Sequence, residues 1–150
     1  MAALRLEPLN AANIVAANSL NLKPGQQAFA TPVSYAHAEQ SVDPSTSWPR
    51  VVMDGDQVVG SIMGNLDPNA ASEEFRCCVW RLNVRADQQG RGIGRFAVHG
   101  LAEEARSRGF DRMTVIWEPG DDGPESFFLR IGFTPVGETQ FGETLGALAL

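Results

Sequence analysis

The chain has 150 residues, of which 43% are hydrophobic and 20% charged, as expected of one ordinary globular domain and not of a disordered chain. The formal net charge of −6 makes nucleic acid an unexpected partner, because the field of the molecule repels phosphate backbones. We find no apolar leader and no apolar run near the length of a membrane span, so we expect a cytoplasmic protein with no membrane partner. Cys77 and Cys78 are the only cysteines, and no metal-ligand spacing accompanies them, so we expect no metal site.

The first half of the chain predicts a strand, two short helices and an antiparallel meander of three strands. Alternation of apolar and polar residues marks the first strand. Two β-branched runs flank Asp54-Gly55-Asp56, which is a hairpin signal. The predicted elements are a strand over 3–9, a helix from Asn10 or Asn13 to Leu20, a helix over 33–42, the hairpin strands on either side of Gly55, and a strand over 75–84.

The second half changes to alternating helices and strands. Apolar residues from Ile93 onward recur at helical spacing, and a glycine after basic residues ends that helix. The predicted elements are a helix over 93–108, a strand over 112–117, a helix over 124–131 that stops at Gly132, and a closing strand pair around 140–142. The order β-α-α-β-β-β-α-β-α-β-β predicts a single α+β domain over residues 1–150.

A glycine-rich loop, Gln89-Gly90-Arg91-Gly92-Ile93-Gly94-Arg95, lies between the predicted strand and the long helix. Glycines let backbone N–H groups approach a ligand closely, and a helix N-terminus adds partial positive charge at the same place. Three arginines (Arg85, Arg91 and Arg95) accompany them in an acidic chain. A pyrophosphate would satisfy these groups together, while a glycine-rich turn with exposed arginines is the alternative.

Two other phosphate-binding motifs compete for this loop. A P-loop is excluded because no Gly-Lys-Ser/Thr follows the glycines. A Rossmann fingerprint can be matched to Gly92, Gly94 and Ala97, with Asp111 at a suitable distance. The five residues between strand and first glycine, and the antiparallel meander before them, argue against it.

The loop resembles the Q/R-x-x-G-x-G/A motif of the GNAT-type N-acetyltransferases. The strand VWRLNV, the strand RMTVIW, the helix PESFFLRI and the pair Gly132-Phe133 resemble that family's elements in order and spacing. The resemblance covers roughly residues 46–150, with the acetyl-CoA motif region at about 75–133. It implies a GNAT-like fold, with a central mixed sheet of six to seven strands and helices on both faces.

The resemblance implies an acetyl-CoA-dependent N-acetyltransferase that acts directly on a primary amine of a small molecule, without a metal. Weaker similarity points to the bacterial diamine or polyamine (spermine/spermidine) acetyltransferases. Two alternatives stay open: a catalytically weakened acyl-CoA-binding module, and a dinucleotide-binding oxidoreductase domain. A homodimer is also left open.

The resemblance also assigns site residues. The residues expected to contact acetyl-CoA are Leu82, Asn83, Val84, Gln89, Gly90, Arg91, Gly92, Ile93, Gly94, Arg95, Phe127 and Phe128. The backbone of Val84 is the expected oxyanion contact. Phe128 occupies the position of the family's general-acid tyrosine, which puts protonation of the thiolate in question. Glu118 is the nearest candidate base, with a solvated residue at a strand end as the alternative.

Overall fold

The computed structural model describes residues 4–13, 15–16, 44–85, 92–120 and 124–150. They form one sheet of seven strands in the order β1-β2-β3-β4-β5-β7-β6, in which β4 and β5 are the parallel neighbours and the other neighbours are antiparallel. The strands are β1 (Leu4–Pro8), β2 (Ser47–Asp54), β3 (Gln57–Leu66), β4 (Cys77–Val84), β5 (Arg112–Trp117), β6 (Thr134–Glu138) and β7 (Thr144–Ala149). The mixed α+β sheet expected from the sequence is confirmed.

Two helices are described, α1 (Ile93–Ser107) between β4 and β5, and α2 (Glu125–Ile131) between β5 and β6. Gly132 follows α2 with a φ of +123°, a conformation that glycine adopts without strain, so the predicted stop is confirmed. Of the predicted helix ending at Leu20, residues 15 and 16 are helical and the rest lies outside the described residues, as does the helix predicted over 33–42.

The predicted strand over 75–84 begins two residues late. Phe75, the first residue of the predicted strand, belongs instead to a short 3-10 turn, Glu73–Phe75. The side-chain amide of Asn65 donates to the carbonyl of Phe75 (2.7 Å), and the hydroxyl of Thr114 donates to the carbonyl of Glu74 (2.6 Å). These carbonyls are therefore satisfied by side chains and not by a neighbouring strand.

Both described helices pack on the same face of the sheet. The main core on this face joins Ala97 and Leu101 of α1, Trp117 of β5 and Phe128 of α2. Gly64 of β3 lets α1 approach closely, since a Cβ there would lie 2.5 Å from Leu101. The opposite face carries separate apolar clusters, one around Trp80 and Ile116 and the other of Val51, Met53 and Val58.

Candidate functional site

The parallel strands β4 and β5 separate along their length. Their register contains one pair, Cys78 with Thr114, so the carboxyl half of β4 runs on without pairing to β5. A bulge explains the separation: Arg81 pairs with Met63 and Val79 with Gly64, which leaves Trp80 as an extra residue on β4. A bulge bends and twists the strand that carries it. The result is a gap beside residues 82–84.

Backbone groups of β4 face this gap. The N–H of Arg85 donates to the carbonyl of Val59 on β3 (2.9 Å), which fixes the direction of the peptide groups at this strand end. Because N–H groups of successive residues point to alternate sides of a strand, the amides of Leu82 and Val84 are directed away from β3. They lie on the side where β5 has diverged. Asn83, between them, pairs with Ser61 of β3.

The helix that follows begins with backbone amides that the helix itself leaves without acceptors. Gly92 precedes α1 with a φ of +81° and makes no side-chain cap, and the first turn of α1 contains no acidic residue. The first backbone bond of the helix runs from the N–H of Phe96 to the carbonyl of Gly92 (2.9 Å). The N–H groups of Ile93, Gly94 and Arg95 therefore have no acceptor within the helix. Such an end attracts anions, although the side chain of Ile93 is itself buried in the core.

The helix N-terminus and the strand gap meet at Phe127. A Cβ placed on Gly94 would lie 2.9 Å from Cζ of Phe127 and 3.6 Å from Cγ2 of Val84. A Cβ placed on Gly92 would meet nothing within 4 Å, so the space in front of the helix end is open among the described residues. Four residues predicted to contact acetyl-CoA thus lie together. Gln89, Gly90 and Arg91 lie outside the described residues.

The guanidinium of Arg95 contacts α2. Its guanidinium Nη2 donates to the carbonyl of Arg130 (3.2 Å), near the carboxyl end of α2, and its side chain is exposed. A cation at that position satisfies a terminal carbonyl of α2 and complements the helix dipole. In this arrangement Arg95 links the two helices.

Phe128 is a core residue. It is 5% exposed, stacks on Trp117 with ring centroids 5.6 Å apart, and meets the edges of Phe127 and Phe133. Trp117 is held in turn, because its indole N–H donates to Oε1 of Glu125 (3.2 Å). The aromatic ring at the family's tyrosine position is therefore firmly packed on the helix-covered face.

Two carboxylates stand at the end of β5. Glu118 follows the strand and is exposed, as a solvated strand-end residue would be. Glu143 precedes β7, whose Thr144 pairs with Trp117, and is 1% exposed. The hydroxyl of Thr139 donates to its Oε1 (3.2 Å). Glu143 could not be predicted as a buried residue, because a glutamate beside a turn ordinarily faces water and no pattern in the sequence marks its burial.

The two cysteines lie on opposite faces of β4, as alternation requires, and both are buried. Burial, with the nearby Asp111 carboxylate, raises the pKa of Cys77 to about 12, and burial raises the pKa of Cys78 as well. In the described parts of the chain no three His, Cys, Asp or Glu side chains group as metal ligands would, and no helix has the length and apolarity to cross a bilayer.

Comparison with known proteins agrees with this geometry. Residues 16–133 match the model of the acetyltransferase (GNAT) family. Over 101 residues the chain is 34% identical to a mycothiol acetyltransferase of Beutenbergia cavernae, covering 67% of this chain and 32% of that protein. It is 27% identical over 81 residues to an L-2,4-diaminobutyric acid acetyltransferase of Shouchella clausii, covering 54% and 44%. The chain thus spans less than half the length of either relative.

A solved structure, an aminoglycoside 6'-N-acetyltransferase complexed with coenzyme A, shares the fold. It superposes with a TM-score of 0.68 at 17% identity and covers 97% of this chain and 96% of its own. At that identity the similarity shows only that the two chains share a fold. In this chain the fold has the expected seven-stranded mixed sheet.

Proposed function

Because the chain belongs to the acetyltransferase (GNAT) family, we propose that it transfers the acetyl group of acetyl-CoA directly to a primary amine of a small molecule. One observation carries the proposal. The parallel strands β4 and β5 part after a single pair, and the helix between them begins at the mouth of the gap with backbone amides that have neither a side-chain cap nor an acceptor within the helix. A long ligand with a phosphate group fits both features at once.

The described residues suit acetyl-CoA. The amides of α1 from Ile93 to Arg95 would hold the pyrophosphate, and the space before Gly92, which is open among the described residues, leaves room for it. The peptide groups of Leu82 and Val84 would pair with the amides of the pantetheine arm along the gap. When bound, acetyl-CoA supplies the acetyl thioester. Gln89, Gly90 and Arg91 are assigned to the same loop by the family motif.

The chain must then stabilise the oxyanion, remove a proton from the amine and supply a proton to the thiolate. A backbone amide facing the gap, at Leu82 or Val84, serves the oxyanion without a side chain. Glu118, exposed at the end of β5, is the proposed base for the amine. Phe128 has no group to protonate the thiolate, so water or the departing ammonium proton serves that step. A thiol pKa of about 8.5 makes thiolate a tolerable leaving group near neutral pH.

The acceptor is the finer part of the proposal. Sequence similarity suggested a diamine or polyamine, whereas the two relatives above are named for mycothiol and for L-2,4-diaminobutyric acid. All of these reactions would need an amine presented at the gap between β4 and β5. A panel that contains spermidine, short diamines and 2,4-diaminobutyrate, assayed by release of the CoA thiol, separates them.

A second candidate function is an acyl-CoA-binding module with little turnover. It is favoured by Phe128, which is buried among aromatic rings where the family carries a tyrosine. Such a module would bind acetyl-CoA with the affinity of an enzyme and release no thiol with any amine in the panel.

Paired glycine variants test the acetyl-CoA site. Gly92 lies just before the start of α1, and Gly109 lies just after its end. Both glycines have a positive φ (+81° and +90°), and a Cβ at either position meets nothing within 4 Å. Alanine therefore imposes similar backbone strain at both positions. We expect Gly92→Ala to weaken acetyl-CoA binding tenfold or more in calorimetric titration, while Gly109→Ala binds as the parent does.

Equal affinities for the two variants would refute the phosphate site at the start of α1. Titration with NAD(P) in place of acetyl-CoA addresses the oxidoreductase alternative. Binding of the dinucleotide, without binding of acetyl-CoA, would overturn the proposed function.

A further inference from the structure

Two polar side chains lie side by side on the face of the sheet opposite α1 and α2. Asn83 of β4 pairs directly with Ser61 of β3. Val84 lies against Gly94 on the helix-covered face, so the side chain of its neighbour Asn83 leaves the strand toward the opposite face. Because residues paired across two strands share a face, the side chain of Ser61 points there too.

Among the described residues, neither of these two side chains has a hydrogen-bond partner. Both residues are half-buried, and no bond to the Asn83 carboxamide or to the Ser61 hydroxyl occurs in the described parts of the chain. Asn65, also on β3, is different, because its Oδ1 accepts from the hydroxyl of Thr46 (2.6 Å) and its Nδ2 donates to the carbonyl of Phe75 (2.7 Å). Asparagine and serine side chains can both donate and accept. The Asn83–Ser61 pair therefore keeps this capacity for a ligand.

The surroundings of the pair are apolar. Val51 of β2 pairs with Ser61 and belongs to one apolar cluster of this face. Met63, two residues further along β3, packs against the other cluster, around Trp80. Beside apolar surface a hydrogen bond between uncharged groups is stronger than in water.

β4 places no carboxylate beside Asn83. The residues two positions before and two positions after it, which alternation directs to the same face, are both arginines, Arg81 and Arg85. A second ammonium group on the acceptor would therefore find no opposite charge on this strand. The residue types around Asn83 favour an uncharged polar group.

Asn83 lies between the two amides proposed for the oxyanion. The amides of Leu82 and Val84 point into the gap, and the residues assigned to acetyl-CoA lie on the helix-covered face, where Phe127 meets Gly94. The amine must then approach the thioester from the opposite face, toward which the Asn83 side chain points. Neighbouring residues of a strand are about 3.3 Å apart, so this side chain can reach a group one or two carbon atoms from the reacting nitrogen.

We propose that Asn83 and Ser61 select the acceptor by hydrogen bonds to an uncharged polar group, a hydroxyl or a carboxamide, carried close to the reacting amine. The inference rests on the proposed function and narrows its acceptor class. Acetyl transfer takes place at nitrogen: the C–N bond forms, the C–S bond of the thioester breaks, the nitrogen loses one proton and the thiolate gains one. The neighbouring polar group is unchanged by the reaction.

Isosteric pairs of acceptors test this assignment. Ethanolamine carries a hydroxyl where propylamine has a methyl group, and glycinamide carries a carboxamide where isobutylamine has an isopropyl group. The ratio of kcat/KM within each pair, polar over apolar, is compared between parent and variant, so the intrinsic reactivities of the amines cancel. We expect Asn83→Leu to lower this ratio about fivefold, and Ser61→Ala about threefold, in at least one pair, because each removes a neutral hydrogen bond.

Asn69→Leu is the matched control. Asn69 is exposed in the loop after β3, at the end of the sheet away from the gap, so its replacement should leave both ratios as in the parent. Ratios that Asn83→Leu leaves unchanged in both pairs would overturn the assignment while acetyl transfer stands.

Asn83→Asp separates recognition from a structural role. The carboxylate has the shape of the carboxamide, cannot donate, and can hold an ammonium group by a charge-assisted bond. We expect the ratio of kcat/KM for 1,2-diaminoethane over ethanolamine to rise about tenfold in this variant. A structural defect would change kcat/KM for the two acceptors alike, and an unchanged ratio would show that the side chain at position 83 does not face the acceptor.

A binding measurement separates this inference from the proposed function. Saturation-transfer NMR of both acceptor pairs, with protein saturated with CoA, reports binding without turnover. We expect the parent to favour the polar member of at least one pair more strongly than Asn83→Leu does. If no amine releases CoA thiol, the proposed function fails, and this measurement alone decides the role of Asn83. Equal relative binding by parent and variant would then refute that role.

Discussion

At the scale of single residues, Phe128 decides how the chain performs its proposed reaction. The family motif places a tyrosine here, and the structure places the ring in an aromatic cluster with Trp117, Phe127 and Phe133. Phe127, its neighbour, lies against Gly94 at the start of α1. The ring therefore belongs to the core and at the same time adjoins residues assigned to acetyl-CoA. At this position the chain differs from the family pattern by one hydroxyl.

Phe128→Tyr restores that hydroxyl. A positioned general acid contributes on the order of 10²–10⁴ in rate, so we expect kcat to rise at least tenfold and KM for acetyl-CoA to change little. A buried hydroxyl without a partner costs about 1–3 kcal/mol, so thermal unfolding is measured alongside. Phe110→Tyr is the control, because Phe110 is partly buried against the same core but follows the far end of α1.

An unchanged kcat in a folded Phe128→Tyr protein would mean that another group already protonates the thiolate or that a different step limits turnover. If neither protein releases thiol with any amine, the acyl-CoA-binding module becomes the better description.

At the scale of elements, the sequence predicted those bounds of helices and strands that a local pattern of residues determines. The bounds of β5 follow directly from the run RMTVIW, and the end of α2 from Gly132. The bulge at Trp80, which opens the gap, could not be predicted, because the first four residues of β4 are buried on both faces and form an apolar run with no alternation to interrupt. The bond of Arg95 to α2 depends on tertiary packing, which spacing along the chain does not encode.

The packing of β7 against Trp117 gives a second prediction. A Cβ on Gly146 would lie 2.4 Å from Cζ3 of Trp117, which is fully buried, stacked on Phe128 and bonded to Glu125. The indole cannot move away easily, so Gly146→Ala should lower the free energy of unfolding by about 1–3 kcal/mol, as overpacked cores do. The midpoint of urea unfolding at constant m-value measures it.

Gly137→Ala provides the comparison within the same hairpin. Gly137 lies on the exposed strand β6, and a Cβ there meets nothing within 4 Å, so we expect a change within about 0.5 kcal/mol. Equal destabilisation by the two variants would contradict the close approach of β7 to Trp117.

At the scale of the whole molecule, two buried thiols couple folding to pH. Cys77 faces the helix-covered core and Cys78 the opposite cluster, so both sides of the sheet exclude water from the start of β4. The pKa of Cys77 rises from an ordinary 9.0 to about 12, chiefly through desolvation by burial, and that of Cys78 is raised by the same cause. The folded protein therefore keeps protons that the unfolded chain releases above pH 9.

This linkage predicts that the free energy of unfolding falls as pH rises from 9 toward 12. Both thiols are protonated in either state below pH 9, so their contribution is fully present there; above it the unfolded state binds fewer protons and gains stability. The slope is at most about 1.4 kcal/mol per pH unit for each thiol. Urea unfolding at pH 8.0 and 10.5, with a reductant present, measures it.

In a Cys77→Ala/Cys78→Ala variant, the fall in the free energy of unfolding between the two pH values should shrink even though the variant is less stable at both. An identical fall in parent and variant would show that the thiols ionise alike in the folded and unfolded states, and so that water reaches β4.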